Sequence, residues 1–478
     1  MTVLEPLENM SLSSSLKYDM IIVGSGVSGS FIAHELTRAN MKCLLLEAGK
    51  FFDKTTYPKK EIDATSQLFW SGGLELNHTA EIAFLRPKCV GGGSIVNQAL
   101  VDRFDDIALD SWREHAGVSF FSTSEMKPWY EKAESELCIQ TIAEKDRNGN
   151  AQVFKKGCEQ HGYQYAALRR AQSNCQCENG NDCIACLFGC RRDSKQSMPV
   201  TVLKKALKNG LTLIPQFEAQ AIERKVDGTY AVHGRDVYGN SQAYISKAIT
   251  LASGAIGNSK LLFNSELGRK IPNIGNNFFC HPQFMFFGIH EEKINAHKGA
   301  FQSLKSADNT FRKNNFKLEN VFATPASIGM LFPGLGKRHM NYMKKITHMS
   351  SVEVCIRDVN PGRIVKNKKG NISIIKSLYG EDKATYKKGK KAICDILQSG
   401  GAKEIIDGQL GIGLHLMGGL NMGSSDTSVT SPEFNLHGFK DIFCADSSIF
   451  PNAPGINPSL TIMALSILAA SKIQKQVV

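Results

Sequence analysis

The chain has no run of about 18 uncharged apolar residues, so no transmembrane helix is expected. It has no internal repeat and no low-complexity linker, which sets aside solenoids and strings of loosely tethered modules. Its first seventeen residues (MTVLEPLENMSLSSSLK) lack a basic start followed by an apolar core, so no secretory leader is expected. A cytoplasmic protein, or one peripheral at the inner membrane, is the resulting expectation. Charged residues make up only 21% against 42% apolar, the balance of a globular chain rather than a disordered one. Acidic residues are the scarcer sign, 45 against 57 basic, for a formal net charge of +12.

Much of that basic excess falls between residues 357 and 391, at Lys366, Lys368, Lys369, Lys387, Lys388, Lys390 and Lys391. It reads either as a face for anionic lipid or an acidic redox partner, or as an ordinary solvated surface. The basic residues are not interleaved with aromatics and no nucleic-acid module is legible, so nucleic acid is set aside.

At 478 residues the chain is long for one core, and two intertwined domains are expected. Residues 18–23 (YDMIIV) are a short apolar run, the pattern of a buried parallel strand. The turn Gly24-Ser25-Gly26-Val27-Ser28-Gly29 follows, then a helix over 27–39 and a second strand over 43–47 (CLLLE). This is a βαβ unit. Gly24 allows the tight turn, Gly26 lets the backbone approach a pyrophosphate, and Gly29 lets the helix lie close to the strand. The helix N-terminus offers N–H groups and a positive dipole end to phosphates. Glu47, ending the second strand, can accept hydrogen bonds from ribose hydroxyls. Strand, turn, helix and acid together predict dinucleotide binding, without choosing between NAD and FAD. Farther on, residues 197–208 predict a serine-capped helix and 212–251 a meander of strands. Residues 284–391 predict a separate sheet roofing a pocket, and 458–472 an apolar helix too short to span a membrane.

Thirteen cysteines are present, and five fall within sixteen residues: Cys175, Cys177, Cys183, Cys186 and Cys190. Closely spaced thiolates suit iron–sulfur or zinc ligation. A disulfide-stapled loop or simple free thiols fit the same spacing. The remaining eight are scattered, as reduced thiols of a cytosolic protein would be.

Three further segments carry more information. Residues 89–97 (CVGGGSIVN) and 251–257 (LASGAIG) are glycine-rich turns that permit close backbone contact with a large cofactor. The third is C-terminal: His415-Leu416-Met417-Gly418-Gly419-Leu420-Asn421-Met422-Gly423, Asp446-Ser447-Ser448-Ile449-Phe450-Pro451, then Gly455-Ile456-Asn457-Pro458-Ser459. In this order, over residues 18–468, they resemble the glucose–methanol–choline (GMC) oxidoreductases. Residues 275–282 (GNNFFCHP) resemble the family segment that joins the two domains, and His281 is expected to hold that junction.

The resemblance implies an α/β protein, α+β overall. Its Rossmann-like FAD-binding domain would be assembled from residues 17–104, 196–282 and 405–478. Residues 105–195 would be a cap with the cysteine-rich segment, and 283–404 a substrate domain on an antiparallel sheet. It implies that Gly24, Ser25, Gly26, Gly29 and Glu47 hold the adenine dinucleotide half. Gly91, Gly92, Gly93, Ser94 and Asn97 would line the flavin side, with Gly254 at the strand-end turn. Ala219 would lie near the adenine, Asp446 by the ribityl chain and Pro458 near the ring. His415 would be the catalytic histidine and Asn457 the second active-site residue. Two departures bear on substrate size. Gly419 and Leu420 stand where threonine and cysteine are commoner, and the chain is short for the family.

The implied reaction is hydride transfer from the CH–OH group of an alcohol to flavin. A neutral imidazole can accept the hydroxyl proton, and Asn457 can orient the oxygen. Residues 186–197 (CLFGCRRDSKQS) are similar to a segment of long-chain alcohol oxidases of that family. The cysteine run is similar to that of membrane-linked sugar dehydrogenases, some with an iron–sulfur cluster. The implied substrates are therefore a long-chain or sterol-like alcohol or a sugar. The implied electron acceptors are a quinone, a cytochrome, a small partner subunit or oxygen. A flavin-dependent lyase, a non-catalytic electron carrier and an NAD-dependent enzyme are the competing expectations.

Overall fold

The computed structural model describes residues 17–175 and 182–477. The first of two large sheets grows from the expected βαβ unit. Strand Lys17–Val23 runs parallel to Cys43–Leu46 on one side and to Ser241–Leu251 on the other. Thr212–Ile214 and Phe439–Cys444 extend it in parallel at the two sides. Ile21, Ile22, Leu44 and Leu45 are wholly buried, as strands of a covered parallel sheet must be. Helix Val27–Arg38 lies against Ser459–Val477 and Val202–Lys208. Gly29 makes its approach possible: a Cβ there would fall 1.9 Å from the Gly24 carbonyl oxygen. Tyr230–Asp236 and Phe217–Arg224 continue the sheet antiparallel from Ser241–Leu251, as the expected meander.

Two helix boundaries differ from the sequence reading. The helix expected from residue 197 starts at Val202, and its N-cap Thr201 makes no side-chain cap. Val200 N and Thr201 N both meet Ser197 O, closing a separate turn, and Thr201, at φ −111° and ψ −108°, breaks that turn from the helix. The C-terminal helix runs longer than expected, Ser459–Val477. Among the described residues no helix is long and apolar enough to cross a membrane.

The second sheet has nine strands. Its spine, Phe279–Ile289, is antiparallel to Met349–Ile356, Glu404–Asp407 and Gly411–Met417. Phe316–Asn320 pairs with Met349–Ile356 beyond it. Residues 405–417, expected with the flavin domain, thus lie in this sheet, as does Ile82–Phe84. Gly411 and Gly413 explain the fit: Cβ atoms there would meet the rings of Phe284 at 2.9 Å and Phe84 at 2.5 Å.

The two faces of this sheet differ sharply. One carries Phe284, Phe286, Leu318 and Val354. On it lies helix Glu381–Ser399, whose Tyr386 meets Phe284 and Phe286. The opposite face carries a polar row, because directly opposed residues share a face. Lys317 opposes Cys355, which opposes Gln283; Glu319 opposes Glu353. His281 is two residues before Gln283 on the same side. An alternating apolar and polar strand ordinarily turns its polar side to water. Here both sides are inside: Glu319 is 0% exposed, Glu353 4% and Lys317 9%.

Candidate functional site

The dinucleotide half is shaped by glycines. Gly24 has φ +105°, and a Cβ on it would strike the Ala252 carbonyl oxygen at 2.4 Å. At Gly26, Gly93 and Gly254 an added Cβ would meet nothing within 4 Å, so three glycines face open space. Gly92 lies directly over Gly26. The first turn of helix Val27–Arg38 has no side-chain cap and no acidic residue. Free N–H groups at a positive helix end, bordered by open glycines, fit the diphosphate of a flavin dinucleotide.

The structure gives several expected cofactor residues internal work. Glu47 accepts from Ser25 N at 3.0 Å, Ser25 Oγ at 2.6 Å and Gly49 N at 2.7 Å. Burial raises its carboxyl above the ordinary value. Ser25 Oγ also accepts from Gly91 N at 3.1 Å, which ties the first turn to the second glycine loop. Ser94 bonds Gly91 O and Met198 N, and Asn97 Oδ1 accepts from Ala99 N. Asp446 is fully engaged: one oxygen takes Gly254 N and Asn258 Nδ2, the other Ser448 N and Oγ. Ala219 sits half-buried where strand Phe217–Arg224 meets the bulge at His233 and Gly234. Pro458 is buried just before the C-terminal helix.

The same Asp446 segment joins the cradle to the second sheet. Ser447 Oγ donates to Leu416 O at 2.7 Å, and Gly418 N donates to Ser447 O at 3.0 Å. Between them stands His415, half-buried, with φ +54°. Four residues of its strand, Leu414 to Met417, lie opposite three, His281 to Phe279. This extra residue is a bulge, and the left-handed backbone at His415 turns its side chain toward the spine strand. There Nδ1 of His415 lies 3.0 Å from Nδ1 of His281, the rings edge to face. Nε2 of His281 takes the Gly455 N–H at 2.9 Å. His281, expected at a domain junction, is thus bonded to both His415 and the Gly455 turn.

Asn457 is reached from the polar row. Lys317 Nζ donates to Asn457 Oδ1 and, at 2.6 Å, to Glu319 Oε1. Gln302 Nε2 covers the other Glu319 oxygen at 2.6 Å. Burial opposes the Lys317 charge, but Glu319, Cys355 and Asp102 together hold the ammonium above its ordinary range. Burial and then the Glu319 charge push Glu353 well up, so it stands as a neutral acid beside Glu319. Burial and then the Lys317 charge push His415 down to about 3. Lys317, Glu319 and His281 were missed as site residues. A charged pair two apart in the strand FKLEN was the available signal, though such alternation ordinarily turns its polar side to water.

The cysteine run behaves otherwise. Cys177 lies outside the described residues, and the Cys183 side chain is likewise not described. Among the described residues no three His, Cys, Asp or Glu side chains gather as a metal site, so the iron–sulfur expectation finds no support there. Cys190 is drawn down to about 5, first by a hydrogen bond from Cys186, then by the N–H groups of Lys195 and Arg192. The Lys195 ammonium donates to the carbonyls of Ile95, Asn97 (2.9 Å) and Cys186 (2.6 Å). Its place is therefore to clamp the cysteine segment onto the second glycine loop. The basic stretch divides between the hairpin of Arg363–Lys366 with Ile372–Ile375 and helix Glu381–Ser399. Lys390 and Lys391 there pair with Asp407 and Asp395.

Comparison with known proteins agrees with this architecture. The N-terminal domain profile of the GMC oxidoreductases matches residues 18–283, and the C-terminal one 342–466. An uncharacterized GMC-type oxidoreductase of Mycobacterium tuberculosis is 24% identical over 97% of this chain and 77% of its own length. A long-chain-alcohol oxidase of Arabidopsis thaliana is 26% identical over 96% of this chain and 67% of its own. Among solved structures, a pyridoxine 4-oxidase from Mesorbium loti superposes with a TM-score of 0.73 at 14% identity. That match covers 96% of this chain and 99% of the other. This chain belongs to the GMC oxidoreductase family.

Proposed function

We propose that the chain is an FAD-dependent oxidoreductase that removes hydride from the CH–OH carbon of an alcohol, with a long-chain or sterol-like alcohol ahead of a sugar. The carrying observation is that His415, on a strand stitched to the glycine cradle through Ser447, feels the charge of the same Lys317 that donates to Asn457. The long-chain-alcohol oxidases among its relatives support the substrate class. Bound FAD would supply the hydride acceptor. His415 and Asn457 hold the substrate oxygen and so fix the carbon beside it. In the simplest form of this reading His415 is also the base, which needs a bare ring nitrogen turned to the substrate. Electrons then leave to oxygen, a quinone or a cytochrome.

The test is anaerobic mixing of the purified protein with primary alcohols of increasing chain length, sterols and sugars. Loss of flavin absorbance with aldehyde or ketone formation is expected, strongest for the longer alcohols. Substrate conversion without any loss of absorbance would instead make the protein a lyase. Assays with each acceptor in turn identify where the electrons go.

A further inference from the structure

Between Asn320 and Glu353 the chain carries no aspartate or glutamate, while Lys337, Arg338, Lys344 and Lys345 all fall there. This stretch follows the strand Phe316–Asn320 and forms a helical hairpin. Helix Pro325–Leu331 leads to a turn with Gly334 at φ +83° and Gly336 at φ +59°, and helix Gly336–Met343 returns from it. Its inner side is packed. The Phe332 ring lies against His339 and Tyr342, and His339 Nε2 meets Gly329 O at 2.7 Å. Its base is clamped by Glu61, which accepts from Ala326 N at 2.9 Å and from Ser327 N and Oγ at 2.7 Å each.

The outer side is different. Leu335, between the two glycines, is 92% exposed, Met330 54% and Met340 47%. Scattered apolar side chains on a surface are ordinary, but these three gather at one turn. Cations surround them. Lys337, Met340 and Lys344 recur at spacings of three and four, so they share one helical face. Arg338 folds back under the Gly334 turn, its Cδ 3.1 Å from where a Cβ on Gly334 would stand. Ile62, next to the clamping Glu61, adds another apolar side chain, 74% exposed. Glu404 reaches the hairpin but is taken by Lys345 and by the Tyr342 hydroxyl. Among the described residues Lys337, Arg338 and Lys344 have no acidic partner.

These features narrow the occupant. An apolar tip ringed by cations matches a surface that is apolar within and anionic at its edge. A second copy of the chain would bring the same cations and be repelled. Leu335 projects and lines no groove that would grip a peptide.

We propose that the hairpin of residues 325–345 docks this protein on an anionic lipid surface. Leu335, Met330 and Met340 enter the acyl boundary, and Lys337, Arg338 and Lys344 reach the phosphates. Their long stems lie along the apolar tip while the charged heads stay at headgroup level. The contact is peripheral, since neither helix is long enough to cross a bilayer. The proposal goes beyond the oxidoreductase reading and does not depend on it. It also places the lipid-facing surface away from the basic stretch of residues 357–391, where Lys390 and Lys391 are paired.

The test is co-sedimentation of the purified holoenzyme with phosphatidylcholine vesicles, with and without about a third of phosphatidylserine. Binding to the anionic vesicles is expected, about tenfold or more tighter than to the neutral ones and weaker as salt rises. Leu335→Asp should weaken it about tenfold or more. Lys337→Glu with Lys344→Glu should do the same, with flavin content and unfolding midpoint unchanged. Lys387→Glu with Lys388→Glu, on the other basic stretch, should bind like the unaltered protein. No binding to the anionic vesicles overturns the proposal. A dimer that Leu335→Asp breaks, without vesicle binding, overturns it too and assigns the tip to a second copy. So does binding that survives both hairpin variants, or that only the Lys387 and Lys388 variant loses. Should Leu335→Asp lower the unfolding midpoint, the double charge variant still decides. Vesicle binding by a protein without flavin sinks the oxidoreductase reading and leaves this one. Flavin bleached by an alcohol with no vesicle binding does the reverse.

Discussion

The two sheets of this molecule treat charge in opposite ways. The first keeps apolar strands in its interior and places ion pairs at its rim, such as Glu136 with His34 and Lys205. The second buries a row of ionisable side chains on one face, Lys317, Glu319 and Glu353. The first is built to lay backbone against a cofactor, which glycines and N–H groups do without charge. The second has to steer a reacting oxygen, and charge in a low-dielectric interior does that strongly.

That contrast can be broken at its ends. The largest effect is expected from Gly29→Ala, which forces a methyl into the Gly24 carbonyl. A loss of about 5 kcal/mol or more, read by denaturant unfolding, and near-zero flavin content are expected. Lys317→Met leaves Glu319 charged and alone inside the second sheet. It should cost about 3–5 kcal/mol in the same measurement, and the added Glu319→Gln should recover part of that. His415→Ala should leave flavin content unchanged and lower kcat by about 10²–10⁴, the usual contribution of one positioned proton-transfer group. A kcat near that of the unaltered protein would remove His415 from the site.

The smallest effect belongs to the rim. The hydrogen bond from His34, then Lys205, hold Glu136 down to about 2 from an ordinary 4.5. A depressed carboxylate stabilises the fold above its unfolded value and loses that contribution as pH falls through the folded one. Glu136→Gln should therefore cost about 1 kcal/mol at neutral pH. The difference from the unaltered protein should shrink between pH 4.5 and about 2. A pH-independent difference would mean that the charge is idle.

The same contrast explains what could be read in advance. Residues 18–47 hold strand, turn, helix and acid in one short stretch, and local pattern was enough to draw the βαβ unit. The glycine loops and the family resemblance located the cradle and singled out His415. Lys317 and His281 were not legible as site residues, because their meaning depends on partners 134 to 140 residues away. The cysteine spacing finds no support as a metal site among the described residues, where Lys195 ties that segment to the second glycine loop.

The central claim is that this chain holds FAD and oxidises an alcohol there. The most direct measurement is the absorption spectrum of freshly purified, anaerobically handled protein, before and after a long-chain primary alcohol, with an iron assay on the same sample. The account predicts flavin absorption that the alcohol bleaches, with no iron in proportion to protein. A protein without flavin, even after reconstitution with FAD, or a flavin that no alcohol reduces, would contradict it.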